Sequence, residues 1–437
     1  MRYAPLPTTL FVEARERLRK LLPPGAMVIL QANDIYPTNA DGSMVFVQSS
    51  DLFYLTSVDQ EETILLLFPD APEPKHREML FLRGTNEQIA IWEGERLTKE
   101  QAAERSGIPL KSIHWLSEFE TQLRLSLVRA QSVYLNTNEH GRASVEVETR
   151  DARFIRRLQN QWPLHRYERL APLMHQLRAI KSPAEVDVIN KAIEITESAF
   201  RRVLAFTAPG VMEYEIVAEI IHEFIRHGGQ GHAYTPIIGS GKNACVLHYI
   251  QNNAPCQDGD VVLMDFGCRY ANYNADLTRS IPVNGKYTKR QREVYNSVLH
   301  VMRSAAKMLK PGVLLKTYQE KVGDIMEEEL LKLKLLTKKD VKEAREKDPE
   351  KPAYKKYFMH GTSHHLGLDV HDVGDTWRKI EPGMVFTIEP GIYIPEEKLG
   401  IRIENDVFIT KNGNIDLMKT IPIEVEEIEE LMVHPLE

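Results

Sequence analysis

Short apolar runs alternate with amphipathic stretches over about the first 160 residues. The runs in Met27–Asn33 (MVILQAN), Glu62–Phe68 (ETILLLF), Arg77–Arg83 (REMLFLR) and Ser132–Thr137 (SVYLNT) have the length and composition of strands. Phe11–Leu22 and Thr98–Gly107 carry helical patterning between them. Strands interleaved with helices predict an α/β layer. A different signal follows at Ser182-Pro183-Ala184-Glu185, which combines an N-cap hydroxyl, a proline suited to the first helical position and a capping-box glutamate. Val186, Ile189, Ile193 and Phe200 then recur at helical spacing and predict one buried face. Leu314–Lys356, which includes KKDVKEAREKDPEK, predicts a solvated helix and loop.

A chain of 437 residues exceeds what one core usually supports, so two domains are expected, 1–172 and 173–437. Apolar residues make up 43% of the chain and charged residues 27%, which fits large globular cores. The net charge of −7, without a basic run, argues against a nucleic-acid partner. Ile64–Phe68 is among the longest apolar stretches and is far too short to span a membrane. The first 22 residues read as an amphipathic helix rather than a signal peptide, so a cytoplasmic location is expected. Cys245, Cys256 and Cys268 match no common zinc or disulfide spacing and read as buried thiols in a reducing compartment.

Candidate chemistry lies in the last 175 residues or so. Asp265 closes VVLMDFG, where it shares a face with Val261 and Leu263. FGCRYANYNA is turn-rich and predicts a hairpin that returns Asp276 to Asp265. Val385, Thr387 and Glu389 align in VFTIEPG, with Pro390-Gly391 expected to end the strand. Arg402 and Glu404 share a face in IRIEND. Singly, each acid reads as a turn, a cap or an exposed residue. Together, four carboxylates among apolar neighbours demand a counter-charge, and with His364 they suit a pair of divalent ions.

Met359–Gly374 (MHGTSHHLGLDVHDVG) holds His360, His364, His365 and His371. His360 and His364 have the spacing of a mononuclear zinc helix, but the glutamate of that motif is missing. Gly361, Gly367 and Gly374 make a helix costly, so extended or looped backbone is expected here.

These segments resemble the aminopeptidase P and prolidase family. The resemblance rests on ACVLHY, LMDFGCRYANYNADLTRSIPVNGKYT, MHGTSHHLGLDVHDVG, EPGMVFTIEPGIYI and IRIENDV, in that order. FVQSSDLFYLTSV and IWEGERL resemble aminopeptidase P in particular. The resemblance implies a creatinase-like N-terminal α/β domain followed by a pita-bread metallopeptidase domain. It implies two divalent ions, manganese in typical members, held by Asp265, Asp276, His364, Glu389 and Glu404, with Asp276 and Glu404 bridging. A hydroxide shared by the ions would attack the peptide bond, with Glu389 carrying the proton. His248 and His371 would steady the scissile carbonyl, while His360, Val370 and His371 would form a proline pocket. Arg402 and Tyr393 would orient the ligating carboxylates. Trp92 would reach the site mouth from a neighbouring subunit of a homo-oligomer; taken alone, it reads equally as domain core.

The expected substrates are therefore peptides with proline at the second position. Three readings stand: an Xaa-Pro aminopeptidase, a prolidase confined to Xaa-Pro dipeptides, and a binding protein that has lost catalysis. The presence of every ligand type speaks against the last. The stretch from Asp372 to Ile380 is shorter than in some family members, which leaves open whether Arg378 replaces the arginine of their insertion.

Overall fold

The computed structural model describes residues 3–433. The chain divides into two compact units, Pro5–Arg178 and Ala179 onward, the latter joined by Tyr3 and Ala4. The division falls after Arg178 rather than near Pro172. The helix Ala171–Ala179 is tied back into the first unit, where Arg178 Nη1 pairs with Asp51 Oδ1 at 2.8 Å and the Tyr54 hydroxyl donates to the Leu177 carbonyl at 3.2 Å.

The first unit is built on a six-stranded mixed sheet. Its order is Ile113–Trp115, Glu78–Leu82, Ile64–Leu67, Ala26–Gln31, Ser132–Leu135 and Arg166–Arg169. The four apolar runs form its inner strands. All positions of Ala26–Gln31 and Ile64–Leu67 are buried, because helices cover the sheet on both faces. Met27, Ile29, Leu66, Phe81 and Val133 pack on one face against Phe119, Leu123, Phe154 and Leu158. The helix Lys99–Ser106 shows why its ends fall where they do. Thr98 and Gln101 close a capping box, and Gly107 leaves the helix at φ +70°, a left-handed turn that favours glycine.

The second unit opens with the helix Pro183–Phe206, whose capping box between Ser182 and Glu185 is formed. Its buried stripe is wider than expected: Val188, Ala192, Ile195, Ala199 and Val203 join Ile189, Ile193 and Phe200, while Val186 is half-buried. The charged stretch beyond Leu314 forms the helices Leu315–Lys332 and Lys338–Lys347, and the second of these buries nothing.

Small antiparallel sheets carry the acids. Val261–Phe266 lies between Ile237–Ser240 and Leu277–Pro282, with Asp265 opposite Thr278. The expected hairpin is present, with a second tight turn inside it. Tyr270 pairs with Tyr273 across Ala271 and Asn272, both at positive φ, as a two-residue hairpin turn requires. Pro390-Gly391 ends the strand as expected, and the chain then changes sheets. Val385–Ile388 pairs with Asn405–Thr410, whereas Gly391–Ile394 pairs with Leu399–Arg402. Proline has no N–H for a ladder, so Glu389 and Pro390 sit at the junction, where Glu389 N donates to the Thr362 carbonyl at 2.8 Å.

Gly267 lets the two acid-bearing strands converge. A Cβ built there would stand 1.7 Å from the Ala275 carbonyl oxygen, an impossible approach. Gly267→Ala should therefore push the Asp276 strand away, at a cost of about 1–3 kcal/mol or more. Denaturant unfolding should show this loss together with weaker metal retention. Unchanged values of both would remove Gly267 from the site's construction.

Candidate metal centre

Four strand ends and one extended segment deliver the candidate ligands. His365 bridges to Phe386, and the Thr387 N–H donates to the His364 carbonyl at 3.0 Å, so the histidine segment runs along Val385–Ile388. It is irregular rather than helical, as its glycines suggested. Glu404 bridges to Thr278, which brings Glu404 beside Asp276. Ligand atoms of Asp276, His364 and Glu404 lie within 4.8 Å of one another. Asp265 and Glu389 border this trio. His364 Nε2 stands 3.5 Å from Asp276 Oδ2 and 3.7 Å from Glu389 Oε1, while the Tyr234 hydroxyl bonds to both Asp265 and Asp276.

Orientation comes from groups behind the acids. Arg402 donates to Asp265 at 2.5 Å, to the Tyr393 hydroxyl at 2.7 Å and to Thr278 Oγ1 at 3.2 Å. Thr278 in turn donates to Glu404 Oε2 at 2.6 Å. Glu404 Oε1 is buried with no hydrogen-bond partner. His364 Nδ1 faces the His365 carbonyl at 2.9 Å, which leaves Nε2 turned toward the acids as a lone-pair donor.

The electrostatics are those of an acid cluster short of positive charge. Burial pushes Glu389 up to about 7 against the pull of His364 and Arg402. Burial raises Asp265 as well, with Arg402 opposing and Asp276 reinforcing. Glu404 is driven well above the usual carboxylate range by burial and then by Asp276, Glu389 and Asp265. Burial acts to lower His364, yet Asp276 and Glu389 together raise it. One hydroxyl hydrogen on Tyr234 cannot serve two carboxylates. The residues fit divalent cations: an orphaned buried oxygen, oxygen-rich donors and one imidazole.

The remaining candidates take varied positions. His360 Nε2 meets the Tyr393 hydroxyl at 2.8 Å and Nδ1 lies 3.8 Å from Glu389, while burial drops its pKa to about 3 and keeps it neutral. His371 packs edge-on against His364, with ring centroids 4.5 Å apart, and Val370 is half-buried beside it in the chain. His248 is exposed on the loop after Gly241–Cys245, near enough to influence His360. Trp92 is 83% exposed on the helix Glu87–Glu93, which overturns its reading as domain core. Arg378 is exposed and stands 4.0 Å from Glu381. Sequence reasoning missed Tyr234, Thr278 and Arg279. The Arg279 guanidinium, fully buried, binds the Glu404 carbonyl at 2.7 Å and Asn405 at 2.8 Å.

The geometry can be set beside known proteins. Residues 187–411 match the model of metallopeptidase family M24, and residues 11–134 match the aminopeptidase P N-terminal domain. The chain belongs to metallopeptidase family M24. It is 38% identical to an Xaa-Pro aminopeptidase of Escherichia coli over 97% of both chains. Zinc-substituted aminopeptidase P from the same organism, solved with product, superposes with a TM-score of 0.87 at 34% identity, covering 99% of this chain and 100% of that one. An aminopeptidase from Pseudomonas aeruginosa gives a TM-score of 0.89 at 31% identity over 99% of each. This M24 peptidase accordingly has the creatinase-like and pita-bread architecture that its motifs implied.

The acid cluster makes the metal-free state of this M24 peptidase pH-sensitive in a defined direction. Glu389 binds its proton more tightly folded than unfolded, so raising the pH from about 4.5 to about 7 strips the unfolded chain first and lowers folding stability. Chelator-treated protein should melt at a lower temperature at pH 8 than at pH 5, and divalent metal at pH 8 should recover the loss. A metal-free protein more stable at pH 8 would contradict the convergence of the acids.

Proposed function

We propose that this chain is a dinuclear-metal Xaa-Pro aminopeptidase, releasing the N-terminal residue that precedes proline. The observation that carries this reading is the convergence of Asp276, His364 and Glu404, bordered by Asp265 and Glu389, in a chain that aligns over 97% of its length with an Xaa-Pro aminopeptidase. Asp265, Asp276, His364, Glu389 and Glu404 would hold the ions. Manganese suits the oxygen-rich set. When bound, the two ions lower the pKa of water and offset charge developing on the carbonyl oxygen.

The chain's own residues supply the rest. Glu389 accepts a proton from the attacking water and passes it to the proline nitrogen. His248 and His371 donate to the carbonyl oxygen as it gains charge. Arg402 keeps Asp265 and Tyr393 in fixed orientation, which leaves the carboxylates little freedom to repel one another. Proline offers no N–H by which a peptidase could hold the substrate as an added strand, so recognition falls to shape. His360 and Val370 flank the place for the ring.

We also place the enzyme in the cytoplasm, since its three cysteines are unpaired, and read it as a homo-oligomer. Ile91 and Trp92, 80% and 83% exposed side by side, support a covering subunit. No described helix is long and apolar enough to cross a membrane.

Two substitutions separate holding metal from using it. Glu404→Ala should lose bound metal and activity together, whereas His371→Ala should retain metal and lose mainly kcat. Equal metal depletion in both variants would contradict this division. Substrate choice provides the second check. Xaa-Pro-Xaa should be cleaved at least about a hundredfold faster in kcat/KM than Xaa-Ala-Xaa, because loss of the ring misplaces the carbonyl. Activity confined to Xaa-Pro dipeptides would make the chain a prolidase instead.

A further inference from the structure

Glu213 is the first residue of the helix Glu213–Arg226 and is completely buried. It plays no part in the acid cluster. An uncompensated carboxylate there would be costly, and the structure compensates it with hydrogen bonds rather than a cation. Oε1 accepts from the Ser240 N–H at 2.8 Å and from Asn243 Nδ2 at 3.0 Å. Oε2 accepts from the Tyr249 hydroxyl at 2.8 Å and from the Ala254 N–H at 2.9 Å.

Those donors bracket one loop. Ser240 ends the strand Ile237–Ser240, Asn243 lies in the turn Gly241–Cys245, and Tyr249 and Ala254 follow. Asn243 Nδ2 also donates to the Tyr249 hydroxyl at 3.0 Å, which closes a ring of bonds around the carboxylate. The Glu213 N–H donates to the Ala254 carbonyl at 3.0 Å, and Met212 bridges to Pro255, so the loop's far end is stapled to the same helix start. Tyr249 is buried, while its neighbour His248 projects into solvent. Fixing the buried tyrosine fixes where the exposed histidine stands.

We infer that Glu213 is a positioning residue, whose four-donor carboxylate sets the loop 240–254 so that His248 meets the scissile carbonyl. This rests on the role given to His248 under the proposed function. It requires a carboxylate in particular. A carboxamide has the same shape but one acceptor oxygen, so it turns an N–H toward two of the four donors.

The test is a double-mutant cycle with Glu213→Gln and His248→Ala on the manganese-loaded enzyme, using Xaa-Pro-Xaa. Glu213→Gln should lower kcat about tenfold, comparable to a misplaced catalytic group, with KM and bound metal little changed. His248→Ala should lower kcat on its own, and adding Glu213→Gln to it should cost little more, since both act through one side chain. Should Glu213→Gln fail to fold, Tyr249→Phe removes one donor and the tether beside His248 and should show the same non-additivity. Multiplying losses in the double variant, or loss of metal with Glu213→Gln, would reduce Glu213 to a structural role and overturn the inference. A normal kcat for His248→Ala would instead overturn the reading of His248, and the inference with it.

Discussion

Mutual repulsion among Asp265, Asp276, Glu389 and Glu404 is the constraint that the second unit is built to contain. These acids face Arg402 and His364 as their compensating groups within reach, and burial removes the water that would otherwise screen them. Three of them are fastened from behind. Asp265 opposes Thr278 in a ladder, Glu404 bridges to Thr278, and the Asp276 N–H donates to Asp406 at 3.1 Å. Arg279 ties down the backbone at Glu404. Rigid strands hold the charges where a flexible loop would let them part, and the stored repulsion becomes affinity for cations.

Asp265, Glu389 and Glu404 were legible because each sits at the end of a strand pattern, where a carboxylate is out of place without a reason, and Asp276 because a turn-rich hairpin returns it to Asp265. The histidine segment was legible as non-helical because its glycines cost a helix too much. What the pattern could not reveal depends on partners remote in sequence. Tyr234 and Arg279 look ordinary until the fold brings them to Asp265 and Glu404. Glu213 reads as a helix-start acid, a favourable place for any glutamate, and only its burial distinguishes it. The ion pair between Arg178 and Asp51, which ties the helix Ala171–Ala179 into the first unit, is likewise one that no local propensity records. At Pro390 the proline signal was correctly seen as an interruption of pairing, but a sequence does not say which sheet the chain joins next.

His364 illustrates how the two halves of the site share support. Its Nδ1 and the Asp372 N–H both meet the His365 carbonyl, each at 2.9 Å. Asp372 is held in turn by Lys181 at 2.8 Å, an ion pair with both side chains 1% exposed. The same short run thereby fixes a candidate ligand and, one residue before Asp372, the ring of His371. The geometry of the candidate ligand and the placement of His371, proposed above to meet the substrate carbonyl, are coupled through one backbone carbonyl.

The bridge between Thr278 and Glu404 joins residues 126 apart in the chain, and the Glu404 N–H donates to the Thr278 carbonyl at 3.1 Å. Closing a loop of that size is entropically slow, and the ligands stay scattered until it closes. During synthesis the nascent chain carries only separate acids and imidazoles, each a weak and unselective trap for ions. Selectivity for a particular cation thus arises at the close of folding, when the cell's free-metal supply meets an already rigid cradle. Which ion is loaded is then a matter of availability at that moment as much as of the cradle's intrinsic preference.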